Sequence, residues 1–558
     1  MGCLMCLICL FTFLLHSQVN CSSSFSSNNS SSTPMCPPDQ SFALLQFKKT
    51  LSINSSASEP YCDKSRPKML SWEEVGFKES IHSNSSLFLL PQLQWLNLAF
   101  NDFDGSRISS EFSRFASLTH LNLSSSVFSG HIPSAISHMS KLVSLDLSYN
   151  FKINTSIGTW TSLLRLDTLN MKRLVQNLTE LRQLNLGNNF IGKIPSSLSN
   201  LTRLGSLDLS SNQLVGLIPS QLVPNLKILD LHNNSLNGTI PSWVFTLPSL
   251  VYLDLSYNQL VGHIHEFHYN SLEGVSLENN ELHGPIPESI FQLVNLTLLT
   301  LSSNNFSGIV ELDRFSILKN LEVLDLSDIS LSLTTINNVN STLPFLSYLR
   351  LSSCNLSEFP NFLRAQTRLD QLDLSNNQIH GQIPKWAWEV GKDSLWYLNI
   401  SSNLLTSVAQ LPWKSLQVLD LHSNLLQGSL PVPPPSTGIF LISNNKLTEE
   451  IPSSICNLSS LQILSLSNNS LSGLIPRCLG NFSDNLVVLD LKMNSFHCTI
   501  PGTFSKGNSL RTIALNGNQL NGPIPQSLIN CRELQVLDLS NNKINDTFPY
   551  WLETISEL

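Results

Sequence analysis

One phrase, L-x-x-L-x-L-x-x-N-x-L-x-G-x-I-P, recurs along this chain from Leu93 onward and leaves it few shapes to adopt. Clear copies are LGSLDLSSNQLVGLIP (204–219), LQILSLSNNSLSGLIP (461–476) and LRTIALNGNQLNGPIP (510–525). Aligned on the Asn position, the phrase has anchors at Asn101, Ser126, Asn150, Asn189, Asn212, Asn234, Asn258, Asn280, Asn304 and Ile329. It continues at Cys354, Asn377, Asn403, Asn424, Asn445, Asn469, Asn494, Asn518 and Asn542. These 19 anchors are 21 to 26 residues apart, except for one step of 39 between Asn150 and Asn189.

The residue chemistry of the phrase predicts its shape. L-x-L has period two, so a short strand turns its leucines inward and its x residues outward. A single unit cannot cover its own leucines, so neighbours stack and share one continuous core. The expected fold is an α/β repeat solenoid with one parallel strand per repeat on the concave face. An Asn side chain offers two donors and an acceptor, enough to satisfy the main chain of a buried turn. Cys354 fills that position as a small buried residue. Gly permits a tight turn in G-x-I-P, and Pro fixes the next one. Between Asn150 and Asn189 the phrase lapses, and 151–180 reads as an irregular or partly helical excursion.

Residues 3–15, CLMCLICLFTFLL, are apolar apart from one Thr and too short to span a bilayer comfortably. They read as a secretory signal peptide over 1–20, followed by a disordered Ser/Asn-rich segment over 21–35. No later stretch predicts a membrane span. Charged residues are 13% of the 558 and the net charge is −8 without clustering, which excludes a nucleic-acid footprint. There are 20 Asn-x-Ser/Thr sequons, among them Asn84, Asn177, Asn200, Asn237, Asn295, Asn340, Asn457, Asn481 and Asn545. With a signal peptide they predict a glycosylated, secreted surface. Seven of the 11 cysteines follow residue 35, none in a CxxC pair. By position Cys36 can pair with Cys62, and Cys456 with Cys478 one repeat on; sequence leaves the connectivity open.

The G-x-I-P half of the phrase resembles the plant extracellular class of leucine-rich repeats, found in receptor-like kinases, receptor-like proteins and polygalacturonase-inhibiting proteins. The resemblance covers about 36–558 and implies a right-handed superhelix. SFALLQFKKTLSI (41–53), with Cys36-Pro-Pro-Asp-Gln before it and Leu70-Ser71-Trp72 after, looks like that class's N-terminal cap over 36–80. NSSLFLLPQLQWLNLAFNDF, LSSCNLSEFP and NDTFPYWLE are most similar to receptor-like proteins of plant immunity. In that family a cysteine block normally follows Trp72, so the cap reads as partly deleted. Leu558 falls within a repeat, so a truncated product or a fragment is expected.

Candidate ligand contacts are outward residues that the scaffold does not dictate. One group is His232, Tyr252, Tyr257 and Glu278 on successive repeats; the other is Tyr348, Arg350 and Tyr397. Tyr and Arg concentrate energy at interfaces. The Asp between the strand leucines (Asp146, Asp208, Asp230, Asp254, Asp325, Asp373, Asp420, Asp490 and Asp538) recurs so regularly that it reads as a solvated framework position. His263, His265 and His268 read as a degenerate turn and not a metal site, because His265 stands where the phrase has Pro. No nucleophile motif, phosphate loop or H-E-x-x-H occurs, so neither an enzyme nor a cofactor is expected.

The resemblance implies a ligand-binding ectodomain of a receptor-like protein in pathogen or peptide perception. Its partners would be a peptide or protein ligand and a leucine-rich-repeat receptor kinase as co-receptor. Its place would be the secretory pathway and the extracellular, apoplastic face, with a single-pass membrane anchor in a full-length form. Two other readings stand beside it: a secreted inhibitor of pathogen cell-wall-degrading enzymes, and a non-functional truncated product.

Overall fold

A computed structural model describes residues 81, 83–154, 159–334, 344–408, 410–481, 485–555 and 557–558. The expected signal peptide, the segment 21–35, the cap 36–80 with its Cys36–Cys62 pairing, and Asn340 lie outside the described residues.

Each L-x-L forms a three-residue strand that ends four residues before its anchor, from Asn97 before Asn101 to Asp538 before Asn542. The 19 strands make one parallel sheet, each paired with the next in the chain. Register is kept leucine to leucine, as in Leu207, Leu229 and Leu253. These side chains are fully buried and merge into a single core that runs the length of the array. The result is a right-handed leucine-rich-repeat solenoid with the sheet on its concave side; parallel strands joined by crossovers take that hand almost without exception.

The anchors tie each coil to the one before it. Asn377 donates from Nδ2 to the carbonyls of Leu351 (2.8 Å), Leu374 (3.0 Å) and Ser375 (3.0 Å). Its Oδ1 accepts from the amides of Cys354 and Leu356 in the preceding coil, at 3.0 and 2.9 Å. Where the anchor is not Asn, smaller donors reach equivalent carbonyls. Ser126 Oγ donates to Leu98 O (2.6 Å) and Ser124 O (2.9 Å). Cys354 Sγ donates to Leu326 O (3.2 Å) and Ser352 O (3.4 Å). Ile329 has no polar atom to offer and is simply buried.

The residue before each anchor takes a left-handed conformation so that the chain can leave the sheet. Small polar residues hold most of these places, but Phe100, Tyr149, Tyr257 and Met493 hold four, with φ of 58°, 56°, 54° and 54°. Farther round the coil, the Gly of G-x-I-P enters a second, lateral set of parallel strands, six of them continuous from Val215–Leu217 to Ser330–Thr334. The Pro then opens a 3-10 turn on the convex side, as at Ser196–Asn200 and Ser453–Asn457, which drives Leu198 and Ile455 into the core.

The long step between Asn150 and Asn189 is one coil with an enlarged outer limb. Phe151–Asn154 and Thr159–Ser162 pair as an antiparallel hairpin, and a helix follows at Thr168–Asn177. Asp167 caps the helix, accepting from the Asn170 amide at 2.8 Å. Met171, Leu174 and Val175 pack it onto the core. The main sheet ignores the insertion: Ser144–Asp146 pairs directly with Gln183–Asn185.

Candidate functional site

The outward side chains of the sheet are less solvated than the sequence suggests. The Asp of each LDLS phrase folds back onto its own turn, and its Oδ1 accepts the amide two residues on: Ser148 at 3.0 Å, Ser210 at 2.9 Å and Ser375 at 2.9 Å. These positions are framework positions, largely buried along the array and solvated at the last strand. Asp254 is 6% exposed and Asp325 8%. Burial raises the pKa of Asp146, Asp208, Asp230 and Asp325, outweighing the hydrogen bonds that lower it. At the exposed last strand Asp538 goes the other way, lowered by hydrogen bonds from Ser540.

His232 lies among three of these carboxylates. Asp208, Asp230 and Asp254 are in register on adjacent strands, and His232 Nδ1 is 2.8 Å from Asp230 Oδ1. Its Nε2 is 3.4 Å from Ser211 Oγ. Burial alone would lower its pKa, but the hydrogen bond to Asp230 and the charges of Asp230, Asp254 and Asp208 raise it to about 9. Asp254 is raised to about 6 by burial and by the Asp230 charge. Tyr252 is raised by burial and by Asp254 and Asp230. Its ring lies across Gly274 on the next strand, so close that an added Cβ there would be 2.5 Å from Cδ2.

Among the described residues, Asp230, His232 and Asp254 form a set of three potential metal ligands, with donor atoms within 4.8 Å of one another. The imidazole nitrogen nearest Asp230 is already engaged, and a metal ion would have to displace a proton bound with a pKa of about 9. His263, His265 and His268 do not converge. His263 Nδ1 lies 2.9 Å from His283 O, His265 meets the Phe245 ring edge-on, and the His268 amide donates to Phe245 O.

The two groups of candidate contacts are joined by residues between them. The Tyr257 amide donates to Glu278 O at 2.8 Å, and the Tyr257 side chain is 49% exposed. Glu278 is raised first by burial and then by the charge of Asp325. Arg350 lies 3.9 Å from Asp325 and donates to Gln371 Oε1 at 3.2 Å. Tyr397 donates to Asp373 Oδ2 at 3.5 Å, while Asn399 donates to the same oxygen at 3.1 Å. Tyr348 is half-buried on the strand between Val323 and Gln371. Sequence reasoning named the framework aspartates but did not see that some of them link these side chains, because their regularity hides which of them have charged neighbours. It also missed Gly274, whose only signal is a Gly where the neighbouring strands carry Tyr252 and Leu298.

The remaining candidates lie elsewhere on the coil. Asn84, Asn177, Asn200, Asn237, Asn295, Asn457, Asn481 and Asn545 are all exposed. Asn295 Nδ2 also donates to Asn270 O at 3.0 Å. Cys456 and Cys478 form a disulfide between consecutive coils, whereas Cys354 and Cys531 are buried free thiols and Cys498 is an exposed one.

Comparison with known proteins agrees with this architecture. A leucine-rich repeat region model matches residues 68–265, and leucine-rich repeat models match 368–389, 439–458, 460–482 and 484–544. Receptor-like protein 6 of Arabidopsis thaliana is 35% identical over 84% of this chain and 63% of its own length. Receptor-like protein 54 of the same plant is 44% identical over 44% of this chain and 30% of its own. The chain thus spans less than two thirds of these relatives. The plant peptide hormone receptor RGFR1 in complex with RGF2 superposes with a TM-score of 0.61 at 28% identity, covering 87% of this chain and 83% of that one. The Arabidopsis receptor kinase HAESA, in complex with the peptide hormone IDA and the co-receptor SERK1, does so with a TM-score of 0.57 at 26% identity, covering 93% and 92%. No helix among the described residues is long and apolar enough to cross a membrane. Stacked repeats of the G-x-I-P type and relatives that share them along most of the chain lead to one assignment: the chain belongs to the plant leucine-rich-repeat receptor-like proteins.

Proposed function

We propose that this chain is the ligand-binding part of an extracellular receptor-like protein. Its concave face would take a peptide or protein ligand in pathogen or peptide perception, feeding defence signalling. The observation that carries this reading is the strip from His232 to Tyr397. Tyr252, Tyr257, Glu278, Arg350 and Tyr397 hold outward or turn positions that the repeat leaves free, and they lie on one face of a rigid sheet. A preformed row of side chains lets a flexible ligand bind without an ordering cost on the receptor side. The superposed plant receptors are complexes with peptide hormones, one of them with a co-receptor. By the same likeness, the partner that carries the signal is a leucine-rich-repeat receptor kinase. The place of action is the cell surface reached through the secretory pathway, with N-glycans at the exposed sequons.

To test this, the chain is fused to the membrane helix and kinase domain of a leucine-rich-repeat receptor kinase. Plant cells displaying the fusion are exposed to pathogen culture filtrates and to synthetic secreted plant peptides. The expected result is phosphorylation triggered by one of them and abolished by Tyr252→Ala with Tyr397→Ala. A response indifferent to those substitutions, or none to any preparation from a fusion shown to be at the surface, would count against the reading.

A further inference from the structure

Four arginines among the described residues lie over an aromatic ring, and at one of them the guanidinium is closed off on both sides. Arg314 stands 4.1 Å from the Phe291 ring centroid and donates with both terminal nitrogens to Glu288 of the preceding coil, Nη1 to Oε1 at 2.8 Å. The ring seats the flat guanidinium, and the carboxylate takes its donor edge. Arg364, 4.6 Å over Trp386, and Arg368, 5.4 Å over Phe345, have the same seat on and beside the convex turn Asn361–Ala365. Among the described residues neither of them has a carboxylate in ion-pair contact, in a chain with 40 acids to 32 bases. Glu389, on the turn that carries Trp386, is taken by Lys392 at 3.0 Å.

A second observation concerns how firmly these seats are held. Gln366 lies between the two arginines and is fully buried. Its Oε1 accepts the Leu346 amide at 2.9 Å and its Nε2 donates to Pro344 O at 3.0 Å, clamping the main chain on both sides of Phe345. The Gln366 carbonyl accepts the Gly391 amide of the following coil at 2.9 Å. The coil of the arginines is thus pinned to the two coils that supply the rings. An arginine stem laid on a fixed ring has little rotamer freedom left to lose on binding. Arg364, Arg368 and Lys385 are exposed, and Phe345 is 60% exposed beside them.

We propose that Arg364 and Arg368 form a docking surface on the convex side for an acidic segment of a partner protein. Its Asp or Glu side chains would close the two guanidiniums as Glu288 closes Arg314. Each guanidinium can take one carboxylate bidentately, and Lys385 adds a point charge beside them. A single exposed ion pair is weak, so the surface selects a segment whose acids engage both arginines at once. The open face of Phe345 provides an apolar flank for a neighbouring side chain of that segment. An acidic polysaccharide offers carboxylates but no aliphatic side chain to cover this ring. The inference is independent of the concave-face reading, since it uses other residues on another side of the coil.

The test selects random peptides displayed on phage against the purified full chain at about 0.15 M salt, discarding those that also bind Arg364→Gln with Arg368→Gln. Retained peptides are measured against that variant, against Arg364→Lys with Arg368→Lys, and against Arg165→Gln, whose exposed arginine lies over Phe190 elsewhere. All three variants change exposed side chains and leave the core intact. The expected peptides carry two or more acids and lose affinity roughly tenfold with the glutamine pair. They lose about fivefold with the lysine pair, which keeps the charge but not the fork, and change less than about twofold with Arg165→Gln. Retained peptides without an acidic excess overturn the inference, as does a selection that retains none. Full affinity for the lysine pair, or a comparable loss with Arg165→Gln, reveals attraction by charge alone and also overturns it. A polyuronate oligosaccharide that binds through the two arginines where no peptide does would assign the surface to carbohydrate and overturn the protein partner.

Discussion

His232 Nδ1 lies 2.8 Å from Asp230 Oδ1, and the pair sits between Asp208 and Asp254 on the strands to either side. The imidazole therefore serves as the counter-ion of a carboxylate ladder.

Its titration sets a pH dependence. In the folded chain His232 titrates near 9, above its ordinary 6.5, so its contribution to stability is complete below pH 6.5 and is lost as pH rises through 9. Asp254 titrates near 6, above 3.8, so the fold favours its neutral form and loses that preference as pH climbs from 3.8 through 6. Both effects make coils 228–256 firmest in acid. Asp254→Asn should remove the lower limb and strengthen these coils at pH 7.5 by on the order of 2 kcal/mol, with little change at pH 4. Local amide exchange at the two pH values measures this; equal effects at both would refute it.

The anchor ladder predicts opposite outcomes at two neighbouring positions. Asn377→Ala strands two amides and three carbonyls in the core, and should weaken the coils around it by about 3 kcal/mol. Cys354→Asn would supply a stronger donor to Leu326 O and Ser352 O, which the thiol now reaches at 3.2 and 3.4 Å, and should stabilise by about 1 kcal/mol. Stepwise denaturant unfolding followed by amide exchange separates the two, since a repeat array does not unfold as one unit.

Gly274 and Tyr252 should be energetically coupled. In wild type, Gly274→Ala pushes the Tyr252 ring off the strand and should cost about 1 kcal/mol. With Tyr252→Ala already in place, the same change should stabilise by about 0.5 kcal/mol, because Gly weakens a strand. A double-mutant cycle reads the coupling directly, and simple additivity would show that the packing does not matter.

Cys456–Cys478 closes a loop across consecutive coils with a separation of 22 residues. Cys478→Ser should lower the local stability of those coils by about 3 kcal/mol under non-reducing conditions. Limited proteolysis of the purified chain should then cut first between 450 and 485; an unchanged cleavage pattern would contradict this.

The repeat phrase by itself determined the number of coils, the strand in each, the inward leucines and the positions of the Asn anchors. These follow from periodicity and local backbone preference, which every copy states independently. The 19 strands fall where L-x-L stands in each of the 19 repeats. What sequence could not decide is which outward residues share an electrostatic environment. Asp230 and Asp538 occupy the same place in the phrase, yet one is raised by burial beside other acids and the other is lowered in the open. His232 and Glu278 look like isolated irregularities until stacking sets them next to Asp254 and Asp325. Only the tertiary structure fixes that, because charge interactions depend on distance and burial across coils more than 20 residues apart in the chain.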